Sequence, residues 1–207
     1  MVAERLLPDA AGIQRAAELL AAGEIVALPT DTVYGVACRW DDDAVLGRIF
    51  DLKRRPPDRR VPVLVRGVED VRDLDLVLDD QATCLARMFW PGPLTLVLGA
   101  RGESGESLGV RAPDHPVALA LLRLSGPLRV TSANVSGQPE ALTADEVLRA
   151  FATSDLLAAV VDGGAAPGGR ASTVVDLTAR PPRVAREGPI GRDDLARCIA
   201  PVVSEAG

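Results

Sequence analysis

Residues 28–40 read LPTDTVYGVACRW. An apolar run, EIVAL, ends at Pro29. Three small polar side chains follow (Thr30, Asp31, Thr32), and the chain turns apolar again at Val33, ahead of Tyr34 and Gly35. A short apolar run closed by proline and hydroxyl residues is the signature of a buried strand that delivers its chain into a loop. In an α/β sheet such a loop stands where side chains line a crevice. Tyr34 either walls that crevice or belongs to the core.

Outward from this stretch, the pattern alternates between helix and strand. IQRAAELLAAGE predicts an amphipathic helix over about 12–22, stopped by Gly23. DDDAVLGRIFDLKRR opens on aspartates, repeats apolar residues at Val45, Ile49 and Leu52, and closes on cations. That polarity suits a helix dipole, and Pro56-Pro57 ends the element. VPVLVR, PLTLVLGA, SLGVRAP, PLRVTS, AAVVDGG, STVVDLT and RVAREG predict strands. DDQATCLARMFW, HPVALALLRL and a terminal segment from about 192 predict helices. Thr143 and Glu146 form the frame of a capping box before a further helix. GGAAPGGR (163–170) is the most flexible segment, yet it is short enough to be a loop. The fold class is α/β: a single domain over 1–207 with a twisted mixed sheet and flanking helices.

Composition agrees. Apolar residues make up 47% and charged residues 25% of 207 residues, a globular composition. A chain of this length buries roughly two-thirds to three-quarters of its unfolded surface, so neither a metal nor a disulfide is required. Cys38, Cys84 and Cys198 are odd in number and widely spaced. MVAERLLPDA carries charges where a leader would be apolar, and no run approaches a membrane span. The expectation is a cytoplasmic protein with reduced thiols and no membrane association. The net charge of −6 argues against general nucleic-acid coating, although KRRPPDRR (53–60) is locally basic.

Scarcity is informative too. The 23 basic residues include one lysine, Lys53, and the chain has one asparagine, Asn134, one tyrosine, Tyr34, and one histidine, His115. A chain that favours arginine and keeps one lysine keeps it where a compact ammonium matters. Lys53 follows Leu52 and not glycine, which excludes a Walker-type loop. GxGxxG is absent, and no CxxC pair suggests a zinc site. His115 precedes Pro116 at a helix start and reads as an entry residue, not as part of a catalytic triad. What remains is a set of polar residues at element ends: Thr30, Thr32, Lys53, Arg55, Ser107, Arg111, Ser132, Asn134, Ser172 and Arg186. Singly, each has a plain structural reading as a turn former, solvated helix end or surface partner. Together, four cations and several hydroxyl or amide donors with few carboxylates describe a site for an anion rich in oxygens, such as a polyphosphate.

LPTDTVYG, KRRP, FWPGPLTLVL, GVRAPDHPVA, TSANVSG, STVVDLT and VAREG, in this order, resemble the YrdC/Sua5 family of threonylcarbamoyl-AMP synthases from about residue 10 to 190. The chain resembles the short form that lacks an additional C-terminal domain. The resemblance implies a twisted sheet with a concave basic cleft. It also implies a reaction that joins L-threonine, bicarbonate or CO2, and ATP with Mg²⁺ into threonylcarbamoyl-AMP and pyrophosphate for t6A modification of tRNA. By that resemblance Lys53 and Arg55 are catalytic. Arg55, Arg59, Ser107, Asn134 and Arg186 hold ATP, while Thr32, Arg111, Ser132 and Ser172 hold threonine. No side chain is assigned to a metal, so Mg²⁺ rides on the phosphates. Direct contacts with tRNA or with proteins of the t6A pathway stay open. Two departures stand out: Arg66 replaces a frequent histidine, and the loop between Arg55 and Pro62 is longer than one common form, which bears on the choice of Arg59 over Arg60. The competing readings are a YciO-like paralogue, an RNA-binding module without synthase activity, and the carbamoyl-transfer domain of larger hydrogenase-maturation proteins.

Overall fold

The computed structural model describes residues 3–56, 60–102 and 106–199 and the backbone of 203–204. Its strands are β1 (Glu4–Leu6), β2 (Ile25–Leu28), β3 (Gly35–Arg39), β4 (Val63–Leu64), β5 (Leu94–Gly99), β6 (Ser107–Arg111), β7 (Leu128–Ser132), β8 (Leu157–Val161), β9 (Thr173–Asp176), β10 (Arg183–Arg186) and β11 (Val203–Ser204). They join one mixed sheet in the order β1-β8-β2-β3-β7-β4-β6-β5-β9-β10-β11. The helices are α1 (Ala10–Ala21), α2 (Asp43–Lys53), α3 (Val68–Asp73), α4 (Asp80–Phe89), α5 (Pro116–Ser125), α6 (Ala144–Ala150) and α7 (Arg192–Leu195).

Helix starts follow the side chains that cap them. Asp9, Asp42 and Asp79 each accept from a first-turn N–H, at 2.8, 2.9 and 2.8 Å. Thr143 accepts from Glu146 N at 3.3 Å, and the Glu146 carboxylate returns to Leu142 N at 2.6 Å, one residue outside the usual box. His115 caps α5, its Nδ1 accepting from Val117 N at 3.3 Å.

The sheet is apolar on both faces, with a period of two. Along β2, Val26 and Leu28 pack toward α1 and α5, while Ile25 and Ala27 pack toward α2 and α6. β4, β5, β6, β9 and β10 carry a second core beneath α3, α4 and α7. No described helix is long and apolar enough to cross a membrane.

Several elements depart from the sequence reading, among them β1 and β11, which it did not anticipate. GVACR is not loop but β3, paired antiparallel to both β2 and β7, which makes it an interior strand. The predicted VPVLVR strand narrows to two residues, and α3 was not anticipated. The cysteine expectation is also corrected: Cys84 and Cys198 are disulfide-bonded across 114 residues, and Cys38 is a buried free thiol. Spacing along the chain concealed this, because α4 and the segment after α7 meet only on the shared core.

A cross-link closing so long a loop contributes up to about 4.7 kcal/mol by restricting the unfolded chain. Reductant should therefore lower the denaturant midpoint of the wild-type protein. Replacing Cys84 and Cys198 with serine should reproduce the loss and abolish the response to reductant. A midpoint indifferent to reductant would mean the thiols are unpaired.

Candidate active site

Beyond Pro29 the chain folds on its own hydroxyls. Thr30 Oγ1 donates to Val33 O at 2.7 Å, accepts from Thr32 N and Val33 N, and lies 2.9 Å from Thr32 Oγ1. Tyr34 is fully buried, and its hydroxyl donates to Gly164 O at 2.7 Å while accepting from Gly163 N at 3.2 Å. Burial pushes that phenol up to about 12. Gly169 N donates to Thr32 O at 3.0 Å, and Ala166 N to Leu142 O at 2.8 Å. The segment expected to be most flexible is therefore pinned along its length. Its glycine at 168 is required by proximity, since a Cβ there would lie 2.5 Å from Asp31 O.

Arg111 ends β6 and is 6% exposed. Its guanidinium bonds Thr32 Oγ1 at 2.9 Å, Gly92 O at 3.0 Å, and the Asp31 carboxylate. Burial lowers its proton affinity and Asp31 opposes the change. These three contacts leave two of the five N–H bonds of a guanidinium for a ligand. Asp31 was not among the expected site residues. Its place between two singled-out threonines was the available signal, but nothing in sequence joins position 31 to 111.

Lys53 lies four residues after Ile49 on the buried stripe of α2 and is 2% exposed. Its ammonium donates to Ser132 O, to Asn134 O at 2.8 Å and to Asn134 Oδ1 at 3.1 Å. Ser132 Oγ also donates to Asn134 Oδ1, at 2.6 Å, and Asn134 Nδ2 donates to Gln138 O at 2.6 Å. Ser136 N closes on Lys53 O at 2.9 Å. The lysine thus clamps the Ser132–Asn134 turn with all three of its protons. Burial, then the charge of Arg55, push its ammonium from the ordinary 10.5 down to about 8, with Glu140 opposing.

Arg55 donates to Thr131 Oγ1 at 2.9 Å and reaches Arg60 O at 3.5 Å. Arg60 holds Ser107 through its carbonyl and its hydroxyl. Arg186 donates from Nε and from the guanidinium tip to Ser172 O and Oγ, both at 3.0 Å, and Ser172 Oγ lies 2.8 Å from Thr95 Oγ1. Desolvation lowers the proton affinity of Arg186, and Glu140 opposes this.

These groups border one cavity of about 300 Å³. Thr32, Lys53, Arg55, Arg111, Ser132, Asn134, Ser172 and Arg186 all line it. Thr95 and Glu140, which the sequence reading did not single out, line it as well, and so does Arg60, weighed there as the alternative to Arg59. Ser107 stands behind Arg60 and not on the lining. Arg66 is turned away and pairs with Asp70. Arg59 lies outside the described residues. Among the described residues no three His, Cys, Asp or Glu gather as a metal cluster. The cavity is built to take an anion through arginine N–H groups and hydroxyls.

Asp31 and Arg111 are 11% and 7% exposed at their side chains. Asp31→Asn would leave a buried guanidinium without its counter-charge and should cost about 3–5 kcal/mol of stability by denaturant unfolding. For Lys53 the folded value is depressed, so the unfolded chain binds more protons between about 8 and 10.5, and folding gains stability as pH rises through that window. The site behaves oppositely. A neutral amine leaves one of three acceptors without a donor and removes positive potential, so affinity for inorganic triphosphate should weaken as pH rises through about 8. Lys53→Met should flatten that pH dependence in a calorimetric titration.

The family model described as telomere recombination, Sua5/YciO/YrdC, matches residues 18–188. A Mycobacterium tuberculosis relative is 36% identical over 91% of this chain and 89% of its own length. The Bacillus subtilis threonylcarbamoyl-AMP synthase is 34% identical over 100% of this chain, which spans 62% of that enzyme. The structure of Pyrococcus abyssi Sua5 complexed with L-threonine superposes with a TM-score of 0.90 at 32% identity, covering 99% of this chain and 63% of that one. Escherichia coli YciO superposes with a TM-score of 0.80 at 25% identity, covering 93% and 98%. A cavity assembled from Lys53, Arg55, Ser132 and Asn134, within a sheet of this topology, accords with these likenesses: the chain belongs to the Sua5/YciO/YrdC family.

Proposed function

We propose that this protein is a threonylcarbamoyl-AMP synthase, a nucleotidyltransferase that condenses L-threonine, bicarbonate or CO2, and ATP, and supplies the t6A modification of tRNA in the cytoplasm. The observation that carries this reading is the convergence of Lys53, Arg55, Arg111, Ser132, Asn134, Ser172 and Arg186 on one cavity. The relative whose structure holds L-threonine supports the amino-acid part of it. The catalytic unit is taken as one YrdC-like domain over 1–207.

In the proposed reaction the amine of threonine carries a carboxylate, one oxygen of which attacks the α-phosphorus of ATP. A phosphorus–oxygen bond forms to the carbamate, the bond to the β-phosphate bridging oxygen breaks, and that electron pair leaves on pyrophosphate. Two anions must approach, so cations offset their repulsion and the charge of the leaving group. Arg55 and Arg186 take that task together with Asn134, and Ser107 supports Arg60 at the rim. Arg111, Thr32, Ser132 and Ser172 receive the amino acid, with the two unengaged N–H bonds of Arg111 facing its carboxylate. Lys53 acts by holding the Ser132–Asn134 turn in position and by adding positive potential. The nucleophile is already ionised, so positioning matters more than a general base. Mg²⁺ would be held by the triphosphate, with no side chain of this set assigned to it, and would supply neutralisation of phosphate charge.

Purified protein with ATP, Mg²⁺, bicarbonate and L-threonine should release pyrophosphate only when threonine is present and should form an adenylate of the corresponding mass. Lys53→Ala and Arg55→Ala should each lower turnover by roughly 100-fold while the fold persists by circular dichroism. No threonine-dependent pyrophosphate, with RNA affinity that falls steeply with salt, would favour the RNA-binding reading. Absence of both activities would favour the YciO-like one.

A further inference from the structure

A hydroxyl has one proton to give, and the hydroxyls assigned to the amino acid have already given theirs. Ser132 Oγ donates to Asn134 Oδ1. Thr30 spends its proton on Val33 O, so only Thr32 can donate across the 2.9 Å between the two threonine hydroxyls. Ser172 Oγ accepts from Arg186 and lies 2.8 Å from Thr95 Oγ1. Donation from a guanidinium polarises the hydroxyl that receives it and makes that hydroxyl the better donor to the next. The run therefore points from Arg186 through Ser172 to Thr95, and its last proton is that of Thr95. Thr95 is 3% exposed and lines the cavity, and its hydroxyl has no second partner among the described residues. A buried donor of this kind is costly until a ligand supplies an acceptor.

The sheet sets where that donor stands. β5 and β6 are antiparallel, with Leu96 opposite Val110 and Val97 opposite Gly109. One step along this register Thr95 comes opposite Arg111. Leu94, Leu96 and Val110 face the core, so Thr95 and Arg111 share the other face. A Cβ on Gly109 would lie 3.4 Å from Thr95 Cγ2, as befits diagonal neighbours on one face. Paired residues are about 5 Å apart at Cα. The Arg111 guanidinium also stays beside the approach to β5, since its Nε donates to Gly92 O at 3.0 Å. An amino acid with its carboxylate on Arg111 therefore lies next to Thr95. Its carboxylate has the two unengaged N–H bonds of Arg111, and its amine must face the nucleotide to become the carbamate. What is left for Thr95 is the substituent on the β-carbon.

We propose that Thr95 reads the side-chain hydroxyl of the amino-acid substrate, donating to it the last proton of the run from Arg186 and Ser172. This rests on the synthase reading and adds the residue that separates a β-hydroxy amino acid from one without the hydroxyl. Thr32, Ser132 and Ser172 remain acceptors within the same site.

The test compares L-threonine with L-2-aminobutanoate, which keeps the methyl group and has hydrogen in place of the hydroxyl, by calorimetry on the full chain. The wild-type protein should favour threonine by at least about 10-fold, because a site built around a substrate hydroxyl rejects the analogue lacking it. Thr95→Val keeps shape and removes the donor. It should weaken threonine roughly 3- to 10-fold, the range for one neutral hydrogen bond, and leave 2-aminobutanoate within about two-fold. Thr95→Ser, which restores a hydroxyl, should bind threonine more tightly than Thr95→Val. An equal loss for both amino acids would overturn the proposal in favour of a structural role. A loss confined to inorganic triphosphate would overturn it in favour of a role in placing Arg186. A wild-type protein that binds both amino acids equally, or a Thr95→Val protein that binds threonine unchanged, would sink this inference and leave the synthase reading standing. If the wild-type protein binds no threonine, both fail.

Discussion

Like charges crowded into a small, partly desolvated space set the terms for this structure. Lys53, Arg55, Arg111 and Arg186 border one cavity, and their mutual repulsion would disperse them were each not held by acceptors. Arg111 is held by Asp31, Lys53 by two carbonyls and an amide oxygen, and Arg186 by Ser172. Repulsion that the fold has already absorbed is potential available to an anionic ligand, which is the preorganisation that phosphoryl chemistry needs. The downward displacement of Lys53 reflects burial and then the neighbouring charge of Arg55, and that of Arg186 reflects burial.

The sheet makes that crowding feasible. β6 joins β4, and β4 joins β7, yet Arg111 at the end of β6 touches Thr32 beyond the end of β2, so the sheet curls around the cavity. Elements distant in sequence then supply one side chain each. The segment 163–170 closes the assembly by docking on Tyr34 and Thr32, and this gives the single tyrosine a structural task as a clasp beneath the lip. The opening turn and its lid are thereby one unit, and the hydroxyls of Thr30 and Thr32 gain orientation from it.

Much of the secondary structure was legible because its causes are local. Asp42, Asp79 and Thr143 announce helices through capping chemistry that spans three residues, and the apolar runs in EIVAL and PLTLVLGA, bounded by turn residues, give strands directly. β3 escaped that logic because GVACR follows directly on the polar turn and reads as its continuation, and only its pairing with β2 and β7 makes it an interior strand. α3 is too short to build a helical period.

The site divides in the same way. By itself the sequence determined which residue types were present and in what order, and the ordered motifs were enough to mark an anion-binding family with hydroxyls, cations and one amide at element ends. Only the tertiary structure decided partners: that Asp31 neutralises Arg111, that the protons of Lys53 go to the Ser132–Asn134 turn, that Glu140 shares the cavity with cations, and that Cys84 meets Cys198. Capping and periodicity act within a few bonds and are written in neighbouring residues. Ion pairing, proton affinity and cross-linking depend on distances through space, which the chain acquires only when the sheet has closed around the cavity.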